Sequence, residues 1–135
     1  MPILISPYLP LCITIVVPSE NFCTVSYLNG VTPCANTSIG NSAFKESALT
    51  SITIPGGVKS ITNSAFNMCA QLKTVVIEEG VEIIENGVFA NGRNLISVTF
   101  PESLTTIGDS AFAMCTGLTD ATIKEGVQNI DTRAF

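Results

Sequence analysis

The sequence predicts a solenoid: right-handed coils stacked into a parallel β-ladder, with short helical turns on the convex side and a β-rich cap at the N-terminus. The main observation is a fixed repeat, because Leu49, Leu72, Leu95 and Leu118 stand 23 residues apart and each opens the same pattern. Seven columns recur in phase, and all 28 positions are apolar. A period of 20 to 50 residues is typical of a repeat fold. The columns are Leu49, Leu72, Leu95, Leu118; Ile52, Val75, Val98, Ala121; Ile54, Ile77, Phe100, Ile123; Val58, Val81, Leu104, Val127; Ile61, Ile84, Ile107, Ile130; Ala65, Val88, Ala111, Ala134; and Phe66, Phe89, Phe112, Phe135.

Length and composition agree with one small domain. The chain has 135 residues, of which 46% are apolar and 13% are charged, so it is too apolar for disorder. One 23-residue unit buries too little apolar surface to offset its own ordering entropy, so stability must come from stacking. The net charge of −5 argues against nucleic acid and anionic membrane surfaces as partners.

Each repeat divides into a strand, a turn, a second extended segment and a compact turn. The Leu-x-x-Ile-x-Ile stretch alternates with period two and predicts a short parallel strand. Pro55 and Pro101 then turn the chain, and the segment from Val58 to Ile61 is the second extended piece. Asn63 and Asp109 stand where they can cap one helical turn, over residues 63–69 and 109–115.

The N-terminal residues predict a cap rather than a repeat. Residues 1–36 form the predicted capping segment, and residues 37–135 form the array. The array is divided into a degenerate repeat (37–48), repeats at 49–71, 72–94 and 95–117, and an incomplete repeat at 118–135. In the cap, Cys12 to Pro18 and Phe22 to Tyr27 both fit the strand template, with Cys12 and Phe22 in the leucine column. Their close spacing predicts a hairpin that turns at residues 18–21.

The residues of one complete unit resemble a known family. Leu95-x-x-Val98-x-Phe100-Pro101, Leu104-x-x-Ile107-Gly108 and Ala111-Phe112-x-x-Cys115 are similar to the BspA-type leucine-rich repeat. The resemblance spans residues 39–135. Some copies depart from it, since Glu78 and Lys124 replace the proline and Gly92 replaces the cysteine. The resemblance implies a leucine-rich repeat solenoid in a surface or secreted protein that functions in adhesion and protein binding.

Targeting signals are weak in this chain. Residues 2–17 are apolar but carry no positive charge at their start, are interrupted by three prolines and are too short to span a membrane. The sequence therefore predicts that this chain does not insert into a membrane, and residues 2–17 are not a convincing signal peptide. Because the chain stops at Phe135, inside its last repeat, we expect that it is a fragment of a longer protein and that its last coil exposes Ile123, Val127, Ile130 and Phe135.

The five cysteines do not predict a metal site or a reactive thiol. Cys69 and Cys115 share one column two repeats apart, so strand spacing places them near 10 Å from one another, too far for a disulfide. We expect both to be buried free thiols. A disulfide between two of Cys12, Cys23 and Cys34 is possible in a secreted protein, and its connectivity stays open. Zinc is disfavoured because the chain has no Cys-x-x-Cys pair and no histidine.

Catalysis is not predicted, and no cofactor is expected. Without histidine, neither a Ser-His-Asp nor a Cys-His nucleophile can form. Only carboxylates remain, including a cluster at Glu78, Glu79, Glu82 and Glu85. A column of Glu79, Glu102 and Glu125 could hold Ca²⁺ at strand-like spacing, and the alternative is a solvated acidic edge, which we favour.

The outward side of the first strands is the candidate binding face. Period-two alternation turns a nearly uncharged, hydroxyl-rich set away from the core, which suits a protein or a glycan, although β-propensity alone explains threonine there equally well. These residues are Ser51, Thr53, Thr74, Val76, Ser97, Thr99, Asp120 and Thr122. The leading hypothesis is a binding module for a host or neighbouring-cell protein. A structural spacer or targeting array attached to another domain is the second hypothesis, and a carboxylate- or calcium-dependent enzyme is the third.

Overall fold

The computed structural model describes residues 14–16, 22–26 and 37–135, the first two segments as backbone strands. Within these segments, ten strands form two five-stranded sheets. The strands are β1 (Thr14–Val16), β2 (Phe22–Ser26), β3 (Thr37–Ile39), β4 (Ser51–Ile54), β5 (Val58–Ile61), β6 (Thr74–Ile77), β7 (Ile83–Ile84), β8 (Ser97–Thr99), β9 (Thr106–Ile107) and β10 (Asn129–Ile130). The first sheet has the order β1-β2-β4-β6-β8 and the second the order β10-β9-β7-β5-β3.

The pairing is that of a parallel solenoid. β4, β6 and β8 pair in parallel with Ile52 opposite Val75 and Val75 opposite Val98, one repeat apart. β5, β7 and β9 do the same through the column that contains Ile61 and Ile84. The predicted solenoid and its second extended segment are therefore confirmed.

The core lies between the two sheets and the compact turns. In β4, Ile52 and Ile54 are buried while Ser51 and Thr53 are half-buried, so the predicted alternation has the correct phase. The side chains of Ile61, Ile84 and Ile107 have no exposed surface. This burial of every second residue fixes the strand register, since a slip of one position would turn the whole apolar set to solvent.

A column of phenylalanine rings runs the length of the described array. Phe44, Phe66, Phe89, Phe112 and Phe135 stack in sequence, with ring centroids 5.1, 5.3, 5.2 and 5.2 Å apart and nearly parallel planes. Offset stacking of aromatic rings contributes about 0.5–1.5 kcal/mol per pair beyond area burial. One ring per coil therefore connects each repeat to both of its neighbours.

The convex side differs from the prediction of helical turns, which is wrong for both segments named above. Ser64, Met68, Ser110 and Met114 all have positive φ, between 56° and 61°, which no right-handed helix contains. Residues 62–69 instead form successive tight turns, in which the Ala65 N–H donates to the carbonyl oxygen of Thr62 at 3.2 Å. Positive φ at the third residue is what a type II turn requires.

The reason for this departure is a third hydrogen-bond ladder. The N–H groups of Ser64, Phe66 and Met68 donate to carbonyl oxygens one repeat further on, at 2.9–3.0 Å. A helix would use its N–H groups internally and leave none to connect the coils. Alternating tight turns direct every second N–H along the solenoid axis, so the compact turns stack as the strands do.

The N-terminal strands agree with part of the prediction. β1 and β2 pair antiparallel, as in the predicted hairpin, and β2 continues the first sheet beside β4. Phe22 lies opposite Ser51, whereas the strand template aligned it with Leu49, so the predicted phase of β2 is wrong by two residues. The hairpin turn at 18–21 lies outside the described residues. The domain boundary at residue 36 and the capping role stay predictions.

Candidate functional site

The predicted binding face is the outer surface of the first sheet, and its residues lie side by side. Ser51, Thr74 and Ser97 occupy one column of paired positions, and Ser97 forms a bridge with Asp120. The second column contains Thr53, Val76 and Thr99, and Thr122 stands at the equivalent position of the next repeat. We call these eight residues the hydroxyl face. Adjacent strands of a sheet are about 4.8 Å apart, so the face is a regular two-column array.

The hydroxyl face is accessible to solvent. Five of its side chains are exposed, and Ser51, Thr53 and Ser97 are half-buried. Val76 is 41% exposed, which makes it the one large apolar side chain on the face. The face residues on β4, β6 and β8 carry no charge, and Asp120 is the single ionisable group among the eight residues.

Hydroxyl groups elsewhere in the array have a structural task. The Thr62 hydroxyl donates to the carbonyl oxygen of Ile39 at 2.5 Å, Ser103 donates to Val81 at 2.8 Å and Thr105 donates to Glu82 at 3.0 Å. Each of these bonds joins adjacent coils. Within the part of the chain that the structure describes, no side chain of the hydroxyl face takes part in a bond of this kind. The side chains of the hydroxyl face are therefore not required for the connections between repeats, which the backbones of these residues make.

The acidic cluster of the second repeat also has a structural role, which the sequence did not predict. Glu78 accepts from the Gly56 N–H at 3.3 Å, Glu85 accepts from the Asn63 N–H at 3.1 Å, and Glu82 pairs with Lys59 at 3.0 Å. These three bonds connect the second repeat to the first. These carboxylates lie at the surface, as the predicted acidic edge requires, but each one also has a specific partner in the preceding repeat.

Glu79 makes the corresponding connection to the third repeat. Its carboxylate accepts from the N–H of Glu102 at 2.8 Å and from the N–H of Ser103 at 3.1 Å. The Glu102 N–H lowers the pKa of Glu79 below its ordinary value. Desolvation opposes this effect, and the Ser103 N–H and hydroxyl add to it. Both oxygens of Glu79 are thus engaged by the protein itself.

A calcium site at Glu79, Glu102 and Glu125 gains no support from this arrangement. Across residues 37–135, no three acidic, cysteine or histidine side chains lie close enough together to hold a metal ion. The position of Glu79 directly before the Gly80 turn is the sequence feature that could have indicated its role in joining coils. A carboxylate there lies beside the turn N–H groups of the next coil.

The cysteine column contains two free thiols. Cys69 is buried and Cys115 is half-buried, so the prediction that both are buried is wrong for Cys115, whose coil is less completely covered. Each thiol donates to the carbonyl oxygen of a phenylalanine in the preceding coil, at 3.1 Å for Cys69 and 3.2 Å for Cys115. Desolvation raises the pKa of Cys69, and it raises that of Cys115 to about 11. Neither thiol has the lowered pKa of a nucleophile.

The predicted caps Asn63 and Asp109 have different partners from those expected. The Asn63 side-chain oxygen accepts from the N–H of Asn86 at 3.1 Å, and Asn86 in turn accepts from the N–H of Asp109 at 2.9 Å. The Asp109 carboxylate accepts from Ser110 and pairs with Arg133. This column therefore joins coils instead of capping a helix. The possible disulfide among Cys12, Cys23 and Cys34 lies outside the described side chains.

Comparison with known proteins identifies the repeat. The sequence profile of the BspA type leucine rich repeat region matches residues 17–135 in six copies. The chain belongs to the BspA-type leucine-rich repeat family. Members of this family are typically repeat scaffolds for protein interaction and not catalysts. The family match begins in the N-terminal region, before the strand β3.

Solved structures show the same architecture in bacterial proteins. A T. pallidum leucine-rich repeat protein is 24% identical with a TM-score of 0.68, over 88% of this chain and 61% of its own. A Bacteroides ovatus leucine-rich repeat protein is 28% identical with a TM-score of 0.63, over 93% and 37%. A leucine rich cell surface protein of Faecalibacterium prausnitzii is 24% identical with a TM-score of 0.51, over 96% and 46%.

The BspA-type chain thus spans 61% of the T. pallidum protein and less than half of the other two. No curated protein matches it. In the described segments, there is no helix with the length and apolar character needed to cross a membrane.

Proposed function

We propose that this BspA-type chain is a protein-binding module that uses the hydroxyl face, as part of a surface or secreted adhesion-type protein on which it contacts a host or neighbouring-cell protein. The observation that carries the proposal is that the side chains of the hydroxyl face are accessible to solvent yet take no part in the side-chain hydrogen bonds that join coils. Hydroxyls such as those of Thr62 and Thr105 are occupied by the fold, whereas those of Thr74 and Thr99 are available to a partner.

The shape and charge of the face favour a protein over a glycan. Small ligands and short glycans bind in concave clefts that converge polar groups on one point. The hydroxyl face is the side of a sheet, with uncharged columns around Val76. Protein interfaces are depleted of charge at their centre, and the residues around Val76 carry none.

The surface location is supported by the family and by one structural relative. The Faecalibacterium prausnitzii relative is described as a leucine rich cell surface protein. The acidic composition is compatible with this setting because a net charge of −5 disfavours nucleic acid and anionic lipid as partners.

The experiment compares two threonines of the third repeat. Thr99 lies on the hydroxyl face in β8, and Thr106 lies on the outer side of the second sheet in β9. Beads coated with the chain are tested for attachment to cultured epithelial cells, with soluble chain as competitor. We expect Thr99→Arg to reduce competable attachment about tenfold, since a desolvated charge at an interface costs more than 1.4 kcal/mol, and Thr106→Arg to leave it unchanged.

Equal loss in the two variants, or attachment that soluble chain does not compete, would count against the hydroxyl face. A spacer or targeting array is the second candidate, and bonds such as Lys59–Glu82 and Asn63–Asn86, which serve only to join coils, favour it. It predicts that neither variant changes attachment, whereas removal of one whole 23-residue repeat changes the function of the attached domain.

A further inference from the structure

The compact turn of the second repeat contains a reactive dipeptide. Asn86 is exposed and is followed by Gly87, which has a φ of +61°. In an asparagine-glycine step, the glycine nitrogen can attack the asparagine side-chain carbon because no Cβ obstructs its approach. The bond from the Gly87 nitrogen to the Asn86 Cγ forms, the Cγ–Nδ2 bond breaks, and ammonia leaves with the proton of the attacking nitrogen. Water then opens the succinimide ring to aspartate or isoaspartate.

Both reacting groups are held by one residue of the next coil. The Asn86 Oδ1 accepts from the Asp109 N–H at 2.9 Å. The Gly87 N–H donates to the Asp109 carbonyl oxygen at 2.9 Å. The nucleophile and the electrophile are therefore turned towards Asp109 and cannot meet each other while these two bonds persist.

The other side of Asn86 is fixed as well. Its N–H donates to the Asn63 side chain at 3.1 Å, and its carbonyl oxygen accepts from the Ser64 N–H at 3.0 Å. Closure of the succinimide ring needs rotation of the Asn86 side chain and release of the Gly87 N–H. Only separation of the third coil from the second permits both movements.

We propose that Asn86–Gly87 is a deamidation site that is closed in the stacked array and becomes reactive when the second and third coils separate. Isoaspartate adds one methylene to the main chain. The Asn86 carbonyl and the Gly87 N–H then cannot both keep their partners, Ser64 and Asp109, so a reaction in the open state prevents the coils from closing again. The site thus converts a transient opening into a permanent one.

The test is peptide mapping by mass spectrometry during incubation of the 135-residue chain in mildly alkaline buffer, with isoaspartate detected by enzymatic methylation. We expect modification at Asn86 to be about tenfold or more slower in buffer than in the urea-unfolded chain, because local opening must precede the reaction. In urea below the global transition, the rate at Asn86 should rise before the circular dichroism signal changes.

Gly108→Ala supplies a directed opening. A Cβ at Gly108 would lie 2.6 Å from the Asn86 Oδ1 and 2.9 Å from the Asn86 nitrogen, so the third coil must move away from this residue. Gly40→Ala is the matched control, because a Cβ there has no atom within 4 Å. We expect Gly108→Ala to accelerate modification at Asn86 about threefold or more, with little change at Asn91–Gly92, and Gly40→Ala to have no effect.

Three results would overturn the proposal: equal rates in the native and unfolded wild-type chain, a rate that stays constant in urea up to the global transition, or equal rates in the two alanine variants when both are folded. If Gly108→Ala does not fold, the urea series of the wild-type chain decides.

Discussion

At the scale of single residues, burial separates positions that look alike in sequence. Ile84 is an internal column residue with no exposed surface, whereas Thr99 lies on the hydroxyl face and is exposed. The same charge placed at the two positions therefore meets opposite environments. A buried carboxylate without a partner is among the few changes that destabilise a small domain by more than about 4 kcal/mol.

Ile84→Asp is expected to unfold the array at ambient temperature, whereas Thr99→Asp should change the free energy of unfolding by about 0.5 kcal/mol or less. Thermal melts of both variants, followed by circular dichroism, measure the difference. Greater damage from Thr99→Asp would mean that the inward and outward positions are exchanged.

Met114 offers a stabilising change at the same scale. It is 55% exposed and has a φ of +61°, a conformation that costs a non-glycine residue roughly 1–2 kcal/mol. Asn91 occupies the equivalent position one repeat earlier, and asparagine adopts this conformation more readily. We expect Met114→Asn to raise the free energy of unfolding by roughly 0.5–1 kcal/mol, and Met114→Ile to lower it, as measured by urea titration. The opposite order would show that this backbone conformation is not the controlling factor.

Glu79 gives the stability a dependence on pH. Its folded-state pKa lies below the ordinary value of 4.5, so its contribution is complete above the pKa of the unfolded chain and is lost as the pH falls through the folded pKa. Glu79→Gln should therefore be less stable than the wild type at neutral pH, with a difference that shrinks towards zero as the pH falls below 4.5. Urea titrations at a series of pH values measure this. A difference that does not vary with pH would exclude the carboxylate charge as its cause.

At the scale of elements, periodicity predicts strands well and turns poorly. The columns containing Ile52 and Ile61 define both sheets, because period-two burial is written directly in the side chains. The backbone conformation of Ser64 and Met68 cannot be predicted in this way, since neither residue type indicates a positive φ. Gly87 and Asn91 occupy the equivalent positions one repeat later, and these two residue types are the only indication in the sequence that the positions require a positive φ. The partners of Glu79 depend on how coils stack, and the only local indication of them is its position before the Gly80 turn.

The turns after the first-sheet strands approach each other most closely at two glycines. A Cβ on Gly80 would lie 2.3 Å from the Gly56 carbonyl oxygen, and Gly80 has a φ of +111°. Gly80→Ala is therefore expected to cost more than roughly 2 kcal/mol, because the backbone of one coil must move from the other. Gly40→Ala serves as the reference with free space around the new Cβ. Similar melting temperatures for the two variants would contradict this close approach.

At the scale of the whole array, the 135 residues taken alone have a stability that varies along the axis. Internal coils bury their columns completely, whereas Ile123, Ile130 and Phe135 of the last coil are 37%, 50% and 51% exposed. These three exposures confirm the prediction made for that coil, although Val127 is half-buried. Each repeat contacts only its neighbours, so a coil with one neighbour has about half the stacking energy of an internal one.

The isolated 135-residue chain should accordingly show weaker hydrogen-exchange protection at residues 118–135 than at residues 72–94, and should self-associate through its exposed apolar coil. Ile130→Lys is expected to reduce the association, whereas Thr106→Lys, at the equivalent strand one repeat earlier, should not. Light scattering across concentration measures the association. Uniform protection in a strictly monomeric sample would contradict this account.

The three hydrogen-bond ladders also determine how the molecule responds to tension. Bonds such as Phe66 to Val88 and Lys59 to Glu82 join consecutive coils and lie along the axis of the array. A force that pulls the two ends apart would load the bonds of one coil at a time. Each released 23-residue repeat would add roughly 80 Å of extended chain. The array would therefore lengthen in steps of one repeat, and the rupture of each set of hydrogen bonds would dissipate mechanical work.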